Sequence, residues 1–219
     1  MRYVKTTSVK EIATYLAQTI QSHLDKEESV VWIVSGGSAV TVAVQAAKLL
    51  TKGANLTVTL ADERYGAVGH SDSNWQALLN EGFEIAQAHP EPVLHNLPVG
   101  ETAAKYEQLI EGLFQRSDYK IALLGIGPDG HTAGILPHSP ATDTERLVKY
   151  YEGDDYQRLT LTPKALLKLD EALVFVQGQA KWPQLEQLDS NLPIATQPAQ
   201  VLKYIPKVTI FNDLRGEEI

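Results

Sequence analysis

The chain has 219 residues, 43% of them hydrophobic, a formal net charge of −8 and no cysteine. That length suits one α/β domain spanning 1–219 with a sizeable core. The missing cysteine excludes disulfides, thiolate metal sites and a cysteine nucleophile, and an acidic chain without a Lys/Arg cluster argues against nucleic acid as a partner. No apolar run approaches the ~20 residues that cross a bilayer, and the opening Met1–Thr7 has no signal-peptide core. We therefore expect a cytoplasmic protein with no membrane partner. A small anion is still allowed, because a ring of backbone N–H groups with one or two cations can bind it locally.

In chain order, Ser8 suits the cap of a helix reaching about Asp25, with Ile12, Leu16, Ile20 and Leu24 as its buried stripe. Val30–Val34 is a continuous β-prone run, apolar on both faces like a central parallel strand. It breaks at Ser35-Gly36-Gly37-Ser38, after which an Ala- and Val-rich helix spans Ala39 to Leu50. A second strand, Leu56–Ala61, runs into Asp62-Glu63-Arg64, which reads as a polar loop past its end. A helix over Asn74 to Asn80, a short strand at Val93–His95 bracketed by prolines, and a helix from Thr102 to Phe114 follow. Ile121–Leu124 is again a buried strand.

Residues 137–155 are polar and aperiodic, as a mobile loop over a cleft would be. Arg158–Thr162 alternates as a strand does, Pro163 opens a helix to about Leu169, and Leu173–Val176 is another buried strand, ended by Gly178. The next helix starts near Gln179 and carries Lys181 in its first turn, where the helix dipole gives a cation nothing and an anionic neighbour would. Val201-Leu202 and Val208–Phe211 finish the fold before a frayed acidic tail. Strands alternating with helices give a three-layer α/β fold, a mostly parallel sheet covered on both faces, Rossmann-like in type.

Three stretches carry chemistry. Ser35-Gly36-Gly37-Ser38 has the makings of a phosphate cradle, with converging N–H groups, two hydroxyls and a helix N-terminus; alone, it equally fits an ordinary tight turn. Asp62-Glu63-Arg64 lies where parallel sheets gather ligands, and sequence leaves open which carboxylate faces the cleft. In Gly125-Ile126-Gly127-Pro128-Asp129-Gly130-His131-Thr132-Ala133, three glycines allow positive φ and close approach, while Asp129 and His131 set a carboxylate and an imidazole at the mouth. Nothing spaces the histidines as metal ligands, so neither metal nor cofactor is expected.

Together these blocks resemble the family of 6-phosphogluconolactonases and glucosamine-6-phosphate isomerase/deaminases, in order and spacing, from about Val30 to Lys181. Ser35–Ser38 resembles its sugar-phosphate loop, and Asp62-Glu63-Arg64 with Ser73-Asn74 its second block. Gly125–Ala133 resembles its most diagnostic stretch, and Arg158 and Lys181 match positions that hold the substrate phosphate in relatives. The lactonase branch fits better. Deaminases carry Asp-Glu-Tyr and Gly-His-Ile-Ala-Phe-Asn-Glu where this chain has Asp62-Glu63-Arg64 and Gly130–Leu136, so the glutamate for ring opening is missing. Gly134 replaces a frequent Ser and His138 a frequent Gly.

The resemblance implies the sugar-phosphate isomerase type of fold and a small-molecule sugar phosphate as partner, with the chain a monomer or small homo-oligomer. The implied reaction is hydrolysis of 6-phospho-D-glucono-1,5-lactone to 6-phosphogluconate in the oxidative pentose phosphate pathway. His131 would take the proton from the attacking water, oriented by Asp129 or Asp62. Ser35, Gly36, Gly37, Ser38, Arg158 and Lys181 would hold the phosphate, and Arg64, Asn74, Gly127 and Gly130 would line the same site. The alternatives are a glucosamine-6-phosphate deaminase/isomerase, marked by ammonia release, and a sugar-phosphate sensor that binds without turnover.

Overall fold

The structure, a computed structural model, describes residues 1–153 and 155–218. Its first half runs β1 (Arg2–Lys5), α1 (Val9–Leu24), β2 (Val30–Val34), α2 (Ala39–Ala47), β3 (Leu56–Leu60), β4 (Asp62–Arg64), α3 (Asn74–Asn80), β5 (His89–Pro90), α4 (Val99–Arg116) and β6 (Tyr119–Gly125). The second half runs β7 (Val148–Glu152), β8 (Gln157–Leu161), α5 (Pro163–Leu166), β9 (Glu171–Val176), a 3-10 turn (Gln179–Lys181), α6 (Trp182–Gln187), a 3-10 segment (Pro198–Tyr204), β10 (Lys207–Asn212) and β11 (Glu217–Glu218).

The local chemistry explains the main elements. Ser8 caps α1 by accepting the N–H of Glu11, and the stripe Ile12, Leu16, Ile20 and Leu24 is buried. Each such side chain removed from water contributes roughly 1.5–3 kcal/mol as an upper bound. All five residues of β2 are buried, as a strand covered on both faces requires.

The main sheet has the order β11-β1-β10-β9-β6-β2-β3-β5 and every pair in it is parallel. From β2 the chain moves one way, to β3 and β5, then returns to build β6, β9 and β10 on the other side. Right-handed crossovers in opposite senses send their helices to opposite faces. Accordingly α1 and α2 pack together, while α5 packs on the 198–204 segment and shares a groove with α4. The order reverses between β2 and β6, so the loops leaving their C-terminal ends diverge and open a crevice.

Five expectations are corrected. Asp62-Glu63-Arg64 is not a loop: the chain leaves the main sheet at Ala61 and forms β4, which pairs antiparallel with β8 in a second sheet, β4-β8-β7. Residues 137–155, of which 154 lies outside the described residues, are not loop throughout: they hold β7, paired with β8 and anchored where Glu107 on α4 accepts the N–H of Leu147 and pairs with Arg146. The short strand is at His89–Pro90 rather than Val93–His95, because prolines 90 and 92 carry no N–H and the ladder to β3 ends at Glu91. The tail is not frayed as far as Glu218, the last described residue. Asn212 Oδ1 accepts the N–H groups of Leu214 and Arg215 to turn the chain, and β11 then pairs with β1, Glu217 meeting Arg2 at 3.1 Å. Finally, the helix from Ala39 stops at Ala47, where bonds such as Leu49 N–H to the Ala46 carbonyl tighten the chain into turns.

The candidate active site

At the β2/β6 divergence lies a cavity of about 320 Å³ lined by the 35–38 loop, Asp62, Arg64, Asn74, the 125–128 loop, His131, Ala133, Asp155, Arg158 and Lys181. A larger groove, about 540 Å³, lies elsewhere among Glu107, Glu111, Lys120 and Lys168. It has no glycine loop and no histidine, so chemistry favours the smaller space.

The 35–38 loop presents donors. Ser35 is buried and its Oγ has no partner among the described residues, nor do the N–H groups of Gly36, Gly37 and Ser38. Ser38 makes no side-chain cap to α2, which leaves the positive helix end facing the cavity. Gly36 is required by a neighbour: a Cβ there would sit 2.1 Å from Asn74 Oδ1.

Which carboxylate of the Asp62-Glu63 pair faces the cavity is settled by what the other one does. Glu63 is fully buried behind the site and accepts four donors, the N–H groups of Arg64 (2.8 Å), Asn74 (2.7 Å) and Trp75 (3.1 Å) and the Ser73 hydroxyl (2.8 Å). It thereby ties β4 to the N-terminus of α3. Asp62 faces the cavity, held by Asn74 Nδ2, which donates to its carbonyl at 2.9 Å and its carboxylate at 3.2 Å. Desolvation raises the Asp62 pKa, against the attraction of Arg64, His131 and Arg158.

His131 Nδ1 lies 2.6 Å from Asp129 Oδ1, which also accepts the His131 backbone N–H at 3.2 Å. An acceptor there makes Nδ1 the donor and leaves Nε2 with a free lone pair. Burial opposes it, yet the hydrogen bonds and charge of His131 hold the Asp129 carboxyl below its ordinary range. Asp62 makes no hydrogen bond to His131, so the orienting carboxylate is Asp129. The ring lies over Gly127, where a Cβ would meet it at 2.2 Å. Gly130 does not join the site: its N–H is bonded to the Gly127 carbonyl, its carbonyl to Ala199 N–H, and it sits against Gln184 and Gln197. The positive φ values in this stretch fall on Gly130 and on Ala133, which has φ +50.

Arg64 and Arg158 are direct cross-strand partners on β4 and β8. Like charges so placed repel. Tyr156 lies with its ring centroid 5.1 Å from the Arg64 guanidinium carbon and 5.5 Å from that of Arg158, and Asp155 pairs with Arg158 at 2.8 Å. Both Nε groups are buried without a partner among the described residues. Asp155 and Tyr156 escaped the sequence reading because the irregular stretch around them carries no motif. The departures at 134 and 138 also have local reasons. A Cβ at Gly134 would come within 2.8 Å of Asp62 Cβ and 3.0 Å of Thr160 Cβ, and His138 has φ +56, a conformation that favours glycine.

The sequence matches the profile described as glucosamine-6-phosphate isomerases/6-phosphogluconolactonase over residues 4–210. The chain belongs to that family. It is 30% identical over 201 residues to a probable 6-phosphogluconolactonase of Drosophila melanogaster, covering 85% of this chain and 82% of the relative. Against a 6-phosphogluconolactonase of Synechocystis sp. it is 33% identical over 131 residues, and the match spans only 54% of that relative's length. The crystal structure of a 6-phosphogluconolactonase from Thermotoga maritima superposes with a TM-score of 0.84 at 24% identity, over 96% of this chain and 97% of that one, which shows the fold. Within the family's shared fold, the cavity of this chain joins its glycine loops, His131 with its partner Asp129 behind, two arginines and a lysine.

Two substitutions test the electrostatics. Glu63→Gln sets an NH₂ group against N–H or O–H donors, and we expect a loss of about 1–3 kcal/mol in urea unfolding. Asp62→Asn removes a carboxyl whose folded pKa is raised, so its ionised form costs stability above the folded value. The variant should be more stable than the parent at pH 7, with the difference vanishing as pH falls below the unfolded value of about 3.9.

Proposed function

We propose that this chain is a 6-phosphogluconolactonase, hydrolysing 6-phospho-D-glucono-1,5-lactone to 6-phosphogluconate. The observation that carries the reading is one cavity holding both an Asp-oriented imidazole with a free Nε2 and a wall of cations with unsatisfied donors. In support, relatives bearing that name align with it, one of them over most of its length.

A lactone carbonyl is already activated, so the enzyme needs an oriented water, a base and a fixed substrate. His131 Nε2 takes a proton as water oxygen bonds to the carbonyl carbon. The tetrahedral adduct collapses with cleavage of the bond from that carbon to the ring oxygen, and the imidazolium returns its proton to the ring oxygen as it leaves. Asp129 holds the imidazole and balances its transient charge. Asp62, on the same wall, accepts a hydrogen bond from a substrate hydroxyl.

Phosphate is the natural occupant of the opposite wall. A dianion relieves the Arg64/Arg158 repulsion, exchanges with Asp155 at Arg158, and satisfies the N–H groups of the 35–38 loop at the α2 N-terminus. Lys181 completes the wall, and Asn74 and Gly127 shape it. Fixing the remote phosphate positions the carbonyl and lowers the barrier. The reading carries with it a cytoplasmic location, since phosphorylated sugars do not cross bilayers unaided. It also takes the chain as one domain over 1–219, acting as a monomer or small homo-oligomer.

With spontaneous opening subtracted, His131→Ala should lose about 10²–10⁴-fold in kcat while keeping its unfolding midpoint. Near-parental turnover removes the imidazole from the mechanism. Glucosamine 6-phosphate run in parallel should release no ammonia. Arg158→Ala and Lys181→Ala should each raise KM about tenfold or more with a smaller change in kcat; unchanged KM in both displaces the phosphate from this wall.

A further inference from the structure

Lys181 is held from an unexpected quarter. It ends a three-residue 3-10 turn that runs directly into α6, and neither the turn nor the helix has a side-chain cap of its own. No carboxylate lies within 4.0 Å of its ammonium among the described residues. Burial pushes the Lys181 pKa down, and the more distant Asp213 opposes that.

The missing cap comes from beyond the end of β10. Asp213 Oδ2 accepts the N–H of Gly178 at 2.9 Å, and Oδ1 accepts the indole N–H of Trp182 at 2.8 Å. Those two donors are the residues just before and just after the Gln179–Lys181 turn. Two positions further on, Arg215 grips the other end of the same unit, donating to the Leu185 carbonyl at 3.0 Å and pairing with Asp189 through both terminal nitrogens. The segment is itself fixed, since buried Asn212 bonds the Val4 carbonyl and the N–H groups of Leu214 and Arg215. One short stretch of chain, itself not among the residues lining the cavity, thus clamps both ends of the element that carries the lysine.

Two bonds from one carboxylate to the flanks of a three-residue turn restrict where Lys181 leaves the backbone, and the same charge favours an ammonium in a half-buried place. We infer that Asp213 is a positioning residue for Lys181, and that it sets the affinity for the substrate's phosphate without touching the substrate. This rests on the reading of Lys181 as a phosphate ligand. It accounts for an acidic side chain beside a cation wall that its charge would otherwise weaken.

The test is a double-mutant cycle between Asp213→Asn and Lys181→Met, assayed with 6-phosphogluconolactone and with unphosphorylated glucono-1,5-lactone. Asp213→Asn should raise KM for the phosphorylated lactone about three- to tenfold with kcat within about twofold. Its kcat/KM for the unphosphorylated lactone should stay within about twofold of the parent. In the Lys181→Met background Asp213→Asn should add less than about twofold, because the lysine it acts through is gone. Trp182→Phe, which deletes only the indole bond, should move KM the same way by less, and replaces Asp213→Asn if that variant folds poorly. Additive losses in the double variant, or equal losses on both lactones, overturn the inference while the phosphate site stands. An unchanged KM in Lys181→Met alone overturns the phosphate reading of that lysine and the inference with it.

Discussion

Strands β2 and β6 lie side by side, yet the chain leaves their C-terminal ends in opposite directions, because the sheet grows one way through β3 and the other through β9. The rest of the site depends on that divergence. It keeps the 35–38 and 125–131 loops from covering one another, and the gap opens where helix α2 points its N-terminus. The second sheet then closes the space from the side. β4 leaves the main sheet at Ala61 and turns Asp62 and Arg64 inward, and β8 brings Arg158 opposite Arg64.

The charge arrangement is costly in the free protein. Arg64 faces Arg158 across a ladder, both keep a buried Nε with no partner among the described residues, Asp62 is buried with a raised pKa, and Lys181 is half-desolvated. Such costs persist where function needs them, and other contacts offset them here: Tyr156 near both guanidiniums, Asp155 on Arg158, and the four-donor bed of Glu63. A chain with formal net charge −8 therefore gathers two arginines and a lysine around one cavity, and overall charge says little about its ligand.

Much of the main sheet was legible in the residues. Val30–Val34 and Leu173–Val176 are apolar on both faces because parallel strands are covered twice, and the α1 stripe repeats at four residues because only one side meets the core. The second sheet was not legible. Its strands β4 and β7 are three and five residues long, β4 burying the charged Asp62 and Glu63 and β7 partly exposed, so neither alternation nor a continuous apolar run marks them. At the site, the glycine loops and His131 stand out because their chemistry is compressed into motifs. Glu63 could not be told from Asp62, since what separates them is the fold of α3 beneath, 10–12 residues on. Asp213 gave no local signal at all, its partners lying 31 and 35 residues earlier in the chain.

Both diverging loops and the arginine wall are expected to bind one sugar phosphate together. An amide and side-chain NMR titration with 6-phosphogluconate tests it most directly. Concerted shifts are expected, with a single dissociation constant, at the N–H groups of Gly36, Gly37 and Ser38, at the Arg64 and Arg158 guanidiniums and at the His131 ring. Shifts confined to the groove around Lys120 and Lys168, or to one loop with the arginines silent, would contradict it.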